Sequence, residues 1–197
     1  LDHSEIIELN ARENAGNTAL MLACYDGHKD VVKLLLDHSE RIDLNTRDNI
    51  GDTAFTLACK NGHKEVVKLL LDQVNSNIEL NARSRLSGST AFMQDLNARN
   101  NYGLTAFTIA CYKGHKDVVK LLLDHSEIID LNARDHFNGW TAFMLACRFG
   151  HKDVVKLLLD SDQNIDFNAE NNAGETAMMI ACQDIVQLIQ SKLASSS

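Results

Sequence analysis

The sequence predicts an all-α fold in which short helix–loop–helix units stack into a solenoid. The phrase Leu-Asn-Ala-Arg, or a close variant of it, starts at positions 9, 44, 80, 96, 131 and 167, at intervals of 35, 36, 16, 35 and 36 residues. Each long interval holds two short apolar stretches with helical spacing, separated by glycine-containing turns. Because two helices this short cannot bury their apolar faces alone, consecutive units have to pack on one another.

The first half of a unit is illustrated by residues 48–59. Residues 48–51, Asp-Asn-Ile-Gly, have the composition of a turn. Thr53 follows as a predicted helix N-cap, because its hydroxyl can accept a hydrogen bond from a free amide of the first helical turn. Residues 54–59 then supply small and apolar side chains for a short first helix that packs closely on its neighbours.

The second half of the same unit starts where Gly62 ends the first helix with left-handed backbone. Residues 63–65, His-Lys-Glu, open a second helix, with the acid at the end that the helix dipole favours. Valines and leucines at 66, 67, 69 and 70 form the apolar stripe of a buried helix face. We expect the chain to return to the next turn as a loop through Ile78 and Leu80.

This layout divides the chain into seven parts that form one array. Four are full units, at 13–47, 48–83, 100–134 and 135–170, and the others are a leading fragment at 1–12, a truncated unit at 84–99 and a shortened terminal unit at 171–197.

The truncated unit joins two parts of the repeat that are elsewhere far apart. Positions 93 and 95 are 2 apart where the equivalent positions 144 and 166 are 22 apart, so 20 residues are missing, and a four-residue turn is missing in the same way next to Gln183. Two interpretations stay open: the protein lacks these residues, or the sequence of a longer chain is incomplete at these two points. We favour the second, because loss of a helix pair would expose apolar faces on both neighbours. A separation of about 3.8 Å between the Cα atoms of Met93 and Gln94 would instead indicate a continuous chain.

These units resemble the ankyrin repeat over essentially the whole chain. Residues 51–54, Gly-Asp-Thr-Ala, stand where that family has Gly-x-Thr-Pro; residues 27–36, Gly-His-Lys-Asp-Val-Val-Lys-Leu-Leu-Leu, are similar to its second helix. Residues 43–45, Asp-Leu-Asn, are similar to its repeat end. The resemblance implies an ankyrin repeat solenoid whose turns and first helices line a concave groove for partner proteins. It also implies a position that asparaginyl hydroxylases can modify, held here by Asn10, Asn81, Asn97 and Asn132.

The units depart from the ankyrin pattern at two positions. Ala19 and its equivalents replace the helix-opening proline, whose fixed backbone angle would preorganise the first turn. Met21, Thr56, Thr108 and Met144 replace a histidine of the family, so we expect the hydrogen bond of that histidine to be missing.

Composition limits the classes of partner and compartment. The formal net charge of −8 argues against a nucleic-acid backbone or an anionic membrane as the main partner. No apolar run is long enough to cross a bilayer, and no signal peptide is recognisable. The chain opens without Met, which we interpret as a fragment. We expect an intracellular protein, cytoplasmic or nuclear, and a monomer.

The five cysteines hold equivalent positions in successive units, at 24, 59, 111, 147 and 182. Equivalent residues of packed helices lie about 10 Å apart, whereas a disulfide needs Cα atoms within about 7 Å. We therefore predict small buried thiols that stay reduced, as in intracellular proteins.

No catalytic or metal-binding constellation interrupts the repeat. The histidines at 28, 63, 115 and 151 hold a position where the ankyrin pattern has a structural histidine. No zinc-ligand spacing, nucleophile elbow, phosphate-binding loop or dinucleotide fingerprint is present. We therefore predict that the chain is not an enzyme and uses no metal or cofactor.

The units differ from one another mainly at the turn tips, just after the turn glycine and at the end of the first helix, whereas the apolar residues of the second helix are identical in all four full units. Large aromatic side chains at such variable positions are typical of protein interfaces. We predict partner contacts for Tyr25, Asn49, Ile50, Asp52, Lys60, Tyr102, Leu104, Tyr112, Lys113, His136, Phe137, Trp140, Met144, Arg148 and Phe149.

The aromatic residues fall into two groups. Phenylalanines that follow Thr-Ala, at 55, 92, 107 and 143, recur as core residues would. Tyr102, Tyr112, Phe137, Trp140 and Phe149 are instead expected to form one continuous surface patch. On this interpretation Trp140→Ala weakens partner binding and leaves thermal unfolding almost unchanged.

The sequence therefore predicts a non-catalytic protein–protein interaction module. Asp and Glu outnumber Lys and Arg by 27 to 19, which mildly favours a basic partner. Two alternatives stay open. One is an engineered or consensus ankyrin scaffold selected to bind a target, and the other is a regulatory array trimmed from a larger enzyme.

Overall fold

The computed structural model describes residues 8–84 and 96–195. Within these ranges it contains ten α-helices: α1 Ala19–Asp26, α2 Lys29–Leu36, α3 Ala54–Lys60, α4 Lys64–Ser84, α5 Ala106–Lys113, α6 Lys116–Leu123, α7 Ala142–Arg148, α8 Lys152–Asp160, α9 Ala177–Ile180 and α10 Gln183–Ser195. A short 3₁₀ turn spans Ser39–Arg41, and the one β-bridge among these residues joins Glu170 to Thr176. The prediction of an all-α fold is confirmed for the part of the chain described.

The helices form two rows. The first helices of the units pack side by side in the order α1, α3, α5, α7 and α9, and the second helices pack in the order α2, α4, α6, α8 and α10. The core lies between the rows and between successive units. It contains the predicted phenylalanines Phe55, Phe107 and Phe143, while Phe92 lies outside the described residues.

Threonine caps open the first helices, as the sequence predicts. The hydroxyl of Thr53 accepts a hydrogen bond from the amide of Thr56, and the same bond recurs at Thr18, Thr105 and Thr141. These caps matter because the first amides of a helix have no partner within it.

At two of the four positions where the ankyrin pattern has histidine, a threonine makes a hydrogen bond of its own. The Thr56 hydroxyl lies 3.1 Å from the Thr53 hydroxyl, and the Thr108 hydroxyl donates to the carbonyl oxygen of Thr105 at 2.8 Å. A threonine therefore supplies a polar contact to the helix N-terminus at this position. Met21 and Met144 fill it with a buried apolar side chain instead.

A row of arginines joins successive units. Arg12 donates to the carbonyl oxygen of Arg47, Arg47 to that of Arg99, and Arg99 to that of Arg134, at 2.6–2.7 Å. Arg134 donates in turn to the carbonyl oxygen of Glu170. The first and third steps span 35 residues along the chain, but the step from Arg47 to Arg99 spans 52.

This long step locates the end of the unit that begins at Asp48. Leu96 is buried, and residues 96–99 hold the place in the stack that the Leu-Asn-Ala-Arg phrase holds in other units. The helices of that unit pack directly on those of unit 100–134, α3 on α5 and α4 on α6. Residues 85–95 lie outside the described residues, and with them the junction of Met93 and Gln94, so both interpretations of the truncated unit stay open.

The expected return loop through Ile78 and Leu80 is wrong, because α4 continues as one helix from Lys64 to Ser84. In the units on either side, the second helix ends at the equivalents of Leu71, at Leu36 and Leu123. Residues 96–99 make the contacts of a return loop in this unit, so residues 72–84 are not required for that role.

Asparagines form a second row of contacts between units. The side chain of Asn97 donates to the carbonyl oxygen of Ile128 at 2.7 Å and accepts from the amide of Asp130 at 2.7 Å. Asn10 and Asn132 make the same pair of bonds to the following unit. These asparagines hold the return loops in register; the side chain of Asn81 lies outside the described part.

Candidate functional site

The turn tips of successive units are tied together by their backbones. The amide of Asn101 donates to the carbonyl oxygen of Ile50, the amide of His136 to that of Tyr102, and the amide of Asn172 to that of Asn138, at 2.8–3.0 Å. Because each tip is fixed to the next, side chains on neighbouring tips keep a defined spacing. The turns therefore form a continuous surface beside the first helices.

An acceptor side chain at the start of each turn shapes the tip. The Asp135 carboxylate accepts hydrogen bonds from the amides of Phe137, Asn138 and Trp140 at 2.7–3.1 Å. Asn100 does the same for the amides of Tyr102 and Leu104. These bonds hold the aromatic residues of both tips in place, because the backbone that carries them is itself held.

Five aromatic residues, Tyr102, Tyr112, Phe137, Trp140 and Phe149, surround one cavity of about 260 Å³ and are called the aromatic patch below. The cavity lies between units 100–134 and 135–170, and Leu104, Asp135, Asn138 and Leu145 complete its lining. The prediction that these five aromatic residues lie together in one patch is confirmed.

Four of the aromatic side chains of the patch form two ring pairs, and three of these four side chains are open to solvent. The ring centroids of Tyr112 and Phe149 are 4.7 Å apart in an edge-on arrangement, and those of Tyr102 and Phe137 are 6.2 Å apart. These separations are within the favourable range for aromatic pairs. Phe137 is nevertheless 65% exposed, Tyr102 50% and Phe149 49%. Apolar surface this exposed is stabilised when a partner covers it.

Trp140 differs from the rest of the aromatic patch. It is half-buried and packs against the core, and its indole Nε1 is shielded from solvent without a hydrogen-bond partner among the described residues. The expectation that Trp140→Ala leaves thermal unfolding almost unchanged does not fit this burial. Truncation would remove packing, so Phe137 and Phe149 are the better residues for testing binding.

Two cations stand beside the aromatic patch. Lys113 Nζ lies 4.9 Å from the centroid of the Tyr112 ring, and Arg148 directly precedes Phe149. Both are exposed, occupy the last turn of a first helix, and form no ion pair with any residue in the described ranges. His136 is also exposed on the tip that carries Phe137.

The other predicted contact residues lie on units 13–47 and 48–83. Tyr25, Asn49 and Ile50 are exposed, although Asn49 donates to the carbonyl oxygen of Asn14. Lys60 is half-buried, and its ammonium group lies 3.0 Å from the carboxylate of Asp52.

Partner contacts by Asp52 and Met144 are excluded by their burial, which corrects the prediction. Asp52 is fully buried, where its two carboxylate oxygens accept hydrogen bonds from Lys60 and from Asn100 of the next unit in the stack. Met144 is 1% exposed and belongs to the core. Both occupy positions where the units differ in sequence, and that variation here reflects packing.

Asp135, Asn138 and Leu145 line the cavity but are not among the predicted contact residues. The signal for Asp135 was present, because an Asp, Asn or Glu opens each tip at 13, 48, 100, 135 and 171. Such residues are favoured in turns since their side chains can accept hydrogen bonds from the backbone two residues on.

The histidines have a structural position in the stack. The Nε2 atoms of His63, His115 and His151 lie 2.7–3.0 Å from backbone carbonyl oxygens at the end of the preceding first helix, those of Tyr25, Lys60 and Tyr112. Each Nε2 must therefore carry a proton. Gly62 illustrates how close the approach is: a Cβ there would lie 2.6 Å from the His115 ring.

Four of the five thiols are buried, as predicted: Cys24, Cys59, Cys111 and Cys147. Burial raises the pKa of the Cys24 thiol to about 12 and raises the pKa of the other three as well. Cys182 is exposed, because α9 ends at Ile180, before the position that its equivalents hold inside a first helix.

Comparison with protein families gives a match along almost the whole sequence. The family described as ankyrin repeats (3 copies) matches residues 2–84, 86–171 and 127–195. The chain belongs to the ankyrin-repeat family. Its fold is accordingly an ankyrin solenoid, as predicted. Ankyrin repeats are generally protein–protein interaction modules and are typically non-catalytic. A search of curated proteins found no match.

Two further observations bear on this ankyrin array. No helix in the described ranges is both long and apolar enough to cross a membrane. Within the same ranges, no three His, Cys, Asp or Glu side chains lie together in a way that could hold a metal ion.

Proposed function

We propose that this ankyrin array is a non-catalytic module that binds a partner protein through its turns and first helices, with the aromatic patch as the centre of the contact. The observation that carries the proposal is the cavity lined by five aromatic residues from two adjacent units. In protein interfaces a few aromatic and arginine residues supply most of the binding free energy.

The proposal is supported by the fact that stacking of the units does not require aromatic residues at the positions of Phe137 and Phe149. In unit 13–47 the residues at the equivalents of Phe137 and Phe149 are Ala15 and Asp26, one small and one polar, and that unit stacks on its neighbour all the same. Aromatic residues at these positions therefore add apolar surface that the stack does not require.

Affinity capture from the source cell tests the proposal with matched variants. The wild-type chain, the double variant Phe137→Ala/Phe149→Ala and the control Met179→Ala are immobilised at equal density. Met179 is a suitable control because it is 71% exposed and apolar but lies in the terminal unit, away from the cavity. We expect a protein that is retained by the wild-type chain and by the control, and that loses about 30-fold or more in affinity for the double variant.

Equal retention by all three chains would contradict the proposal. The two alternatives, an engineered scaffold and an array trimmed from an enzyme, concern the origin of the chain and what it is joined to. Both would use the same surface for binding.

A further inference from the structure

The cavity of the aromatic patch has the size of a single side chain. Its volume of about 260 Å³ is below the roughly 300–1,000 Å³ of sites that enclose a small-molecule ligand. Its lining is mainly aromatic and aliphatic, and the one carboxylate in it, that of Asp135, already accepts three backbone amides. An apolar side chain fits this environment, whereas a charged one would be desolvated there without a partner.

Two exposed cations stand next to aromatic residues that line the cavity. Lys113 and Arg148 lie at the ends of two adjacent first helices, each next to an aromatic residue of the patch, and neither forms an ion pair with a described residue. Exposed charges interact appreciably only within about 8 Å at physiological salt. The local cations therefore decide which charge is attracted to the patch, and the net charge of −8, which mildly favoured a basic partner, does not.

We infer that the patch recognises an acidic peptide segment, which inserts one bulky apolar side chain into the cavity and places aspartate or glutamate residues against Lys113 and Arg148. This inference rests on the proposed protein-binding function and specifies the chemistry of the partner. The inserted side chain supplies most of the affinity, and the carboxylates set orientation and rate of association.

Aromatic residues next to cations also occur where single-stranded nucleic acid binds. Two cations beside the patch are few for tracking a phosphate backbone, which binds in grooves lined by many positive charges. The acidic peptide is therefore the occupant that the charges favour, and an oligonucleotide is included in the test.

Selection from random peptides tests the inference without a known partner. Twelve-residue peptides displayed on phage are selected on the full wild-type chain, and those that also bind Phe137→Ala/Phe149→Ala are removed. The synthetic peptide that is most enriched is then titrated against three chains: the wild type, Lys113→Glu/Arg148→Glu, and Met179→Ala. A fluorescent 12-nucleotide oligothymidylate is titrated in parallel.

We expect the enriched peptides to share one Trp, Phe, Leu, Ile or Met with Asp or Glu within a few residues of it. Charge reversal at Lys113 and Arg148 should weaken binding about tenfold, while Met179→Ala leaves it unchanged. Replacing the acidic residues of the peptide by lysine should restore binding to the charge-reversed chain and weaken binding to the wild type.

The outcomes separate the inference from the function on which it rests. Enriched peptides with basic or neutral flanks, insensitive to charge reversal, would overturn the inference and leave the proposed function standing. Failure to enrich any peptide that depends on Phe137 and Phe149 would overturn both. Tighter binding of the oligonucleotide than of the enriched peptide would also overturn the inference.

Discussion

At the scale of single residues, contacts between units decide which polar side chains matter. His63, His115 and His151 each reach the end of the preceding first helix, whereas His28 is exposed and makes no side-chain hydrogen bond to a described residue. The same residue type in the same sequence context therefore has two different consequences. Substitution of a histidine that makes the contact and of His28, which does not, therefore measures how much the contact contributes to the free energy of unfolding.

His115→Ala should lower the free energy of unfolding by about 1–2 kcal/mol, because the half-buried carbonyl oxygen of Lys60 then loses its donor. His28→Ala should change it by less than about 0.5 kcal/mol. Urea denaturation followed by circular dichroism measures both values. Equal losses of unfolding free energy in the two variants would show that the contact between units does not cause the loss in His115→Ala.

The thiols give a second prediction at this scale. Since the pKa of Cys24 is raised to about 12 by burial, its thiol stays protonated and unreactive at neutral pH, and the other three buried thiols behave alike. A maleimide reagent should therefore add once to the native chain, at Cys182, and five times after denaturation. Mass spectrometry counts the additions. Rapid addition at Cys24, Cys59, Cys111 or Cys147 in the native chain would contradict their burial.

At the scale of helices, local sequence accounts for most of what is observed. Threonine caps, glycine stops and the valine–leucine stripes act through neighbours a few residues away, so their positions could be predicted from the sequence. The length of α4 was not predicted, because the return loop was expected at Ile78 and Leu80, whereas residues 96–99 hold its place in the stack. The burial of Asp52 escaped prediction for a similar reason, since its partner Asn100 is 48 residues away.

The threonine caps can be tested with a control inside the chain. The Thr141 hydroxyl accepts from the amide of Met144, whereas the side chain of Thr176 makes no such cap. Thr141→Ala should therefore cost about 1 kcal/mol of stability and Thr176→Ala much less. The variant Thr141→Ser, which keeps the hydroxyl, should recover most of the loss. The melting temperatures of the wild type and the three variants are compared. A decrease in Thr141→Ser equal to that in Thr141→Ala would argue against the cap.

At the scale of the whole molecule, unit 48–83 and unit 100–134 are direct neighbours in the stack. Removing residues 80–95 would join Glu79 to Leu96 and restore an interval of 36 residues between the phrases at 44 and 96. We expect this shortened chain to unfold in one cooperative step, with a free energy of unfolding within about 1 kcal/mol of the original, because the packing of α3 on α5 and of α4 on α6 between the two units is kept.

Calorimetry and urea denaturation of the shortened chain provide the measurement. A loss of several kcal/mol, or a second unfolding transition, would mean that residues 80–95 contribute a packed part of the array.

The family and its fold followed from the period and motifs in the sequence. The cavity did not, because it depends on how two adjacent tips and two adjacent helices lie side by side.

The most direct test of the proposed function uses the single tryptophan of the chain, which lines the cavity of the aromatic patch. With 5-fluorotryptophan incorporated at Trp140, the ¹⁹F spectrum contains one resonance, whatever tryptophans the partner contains. Titration with the protein captured by the wild-type chain should shift or broaden this resonance and saturate at the dissociation constant that calorimetry gives. Saturable binding by calorimetry that leaves the Trp140 resonance unchanged would contradict the account, because the partner would then be bound elsewhere on the array.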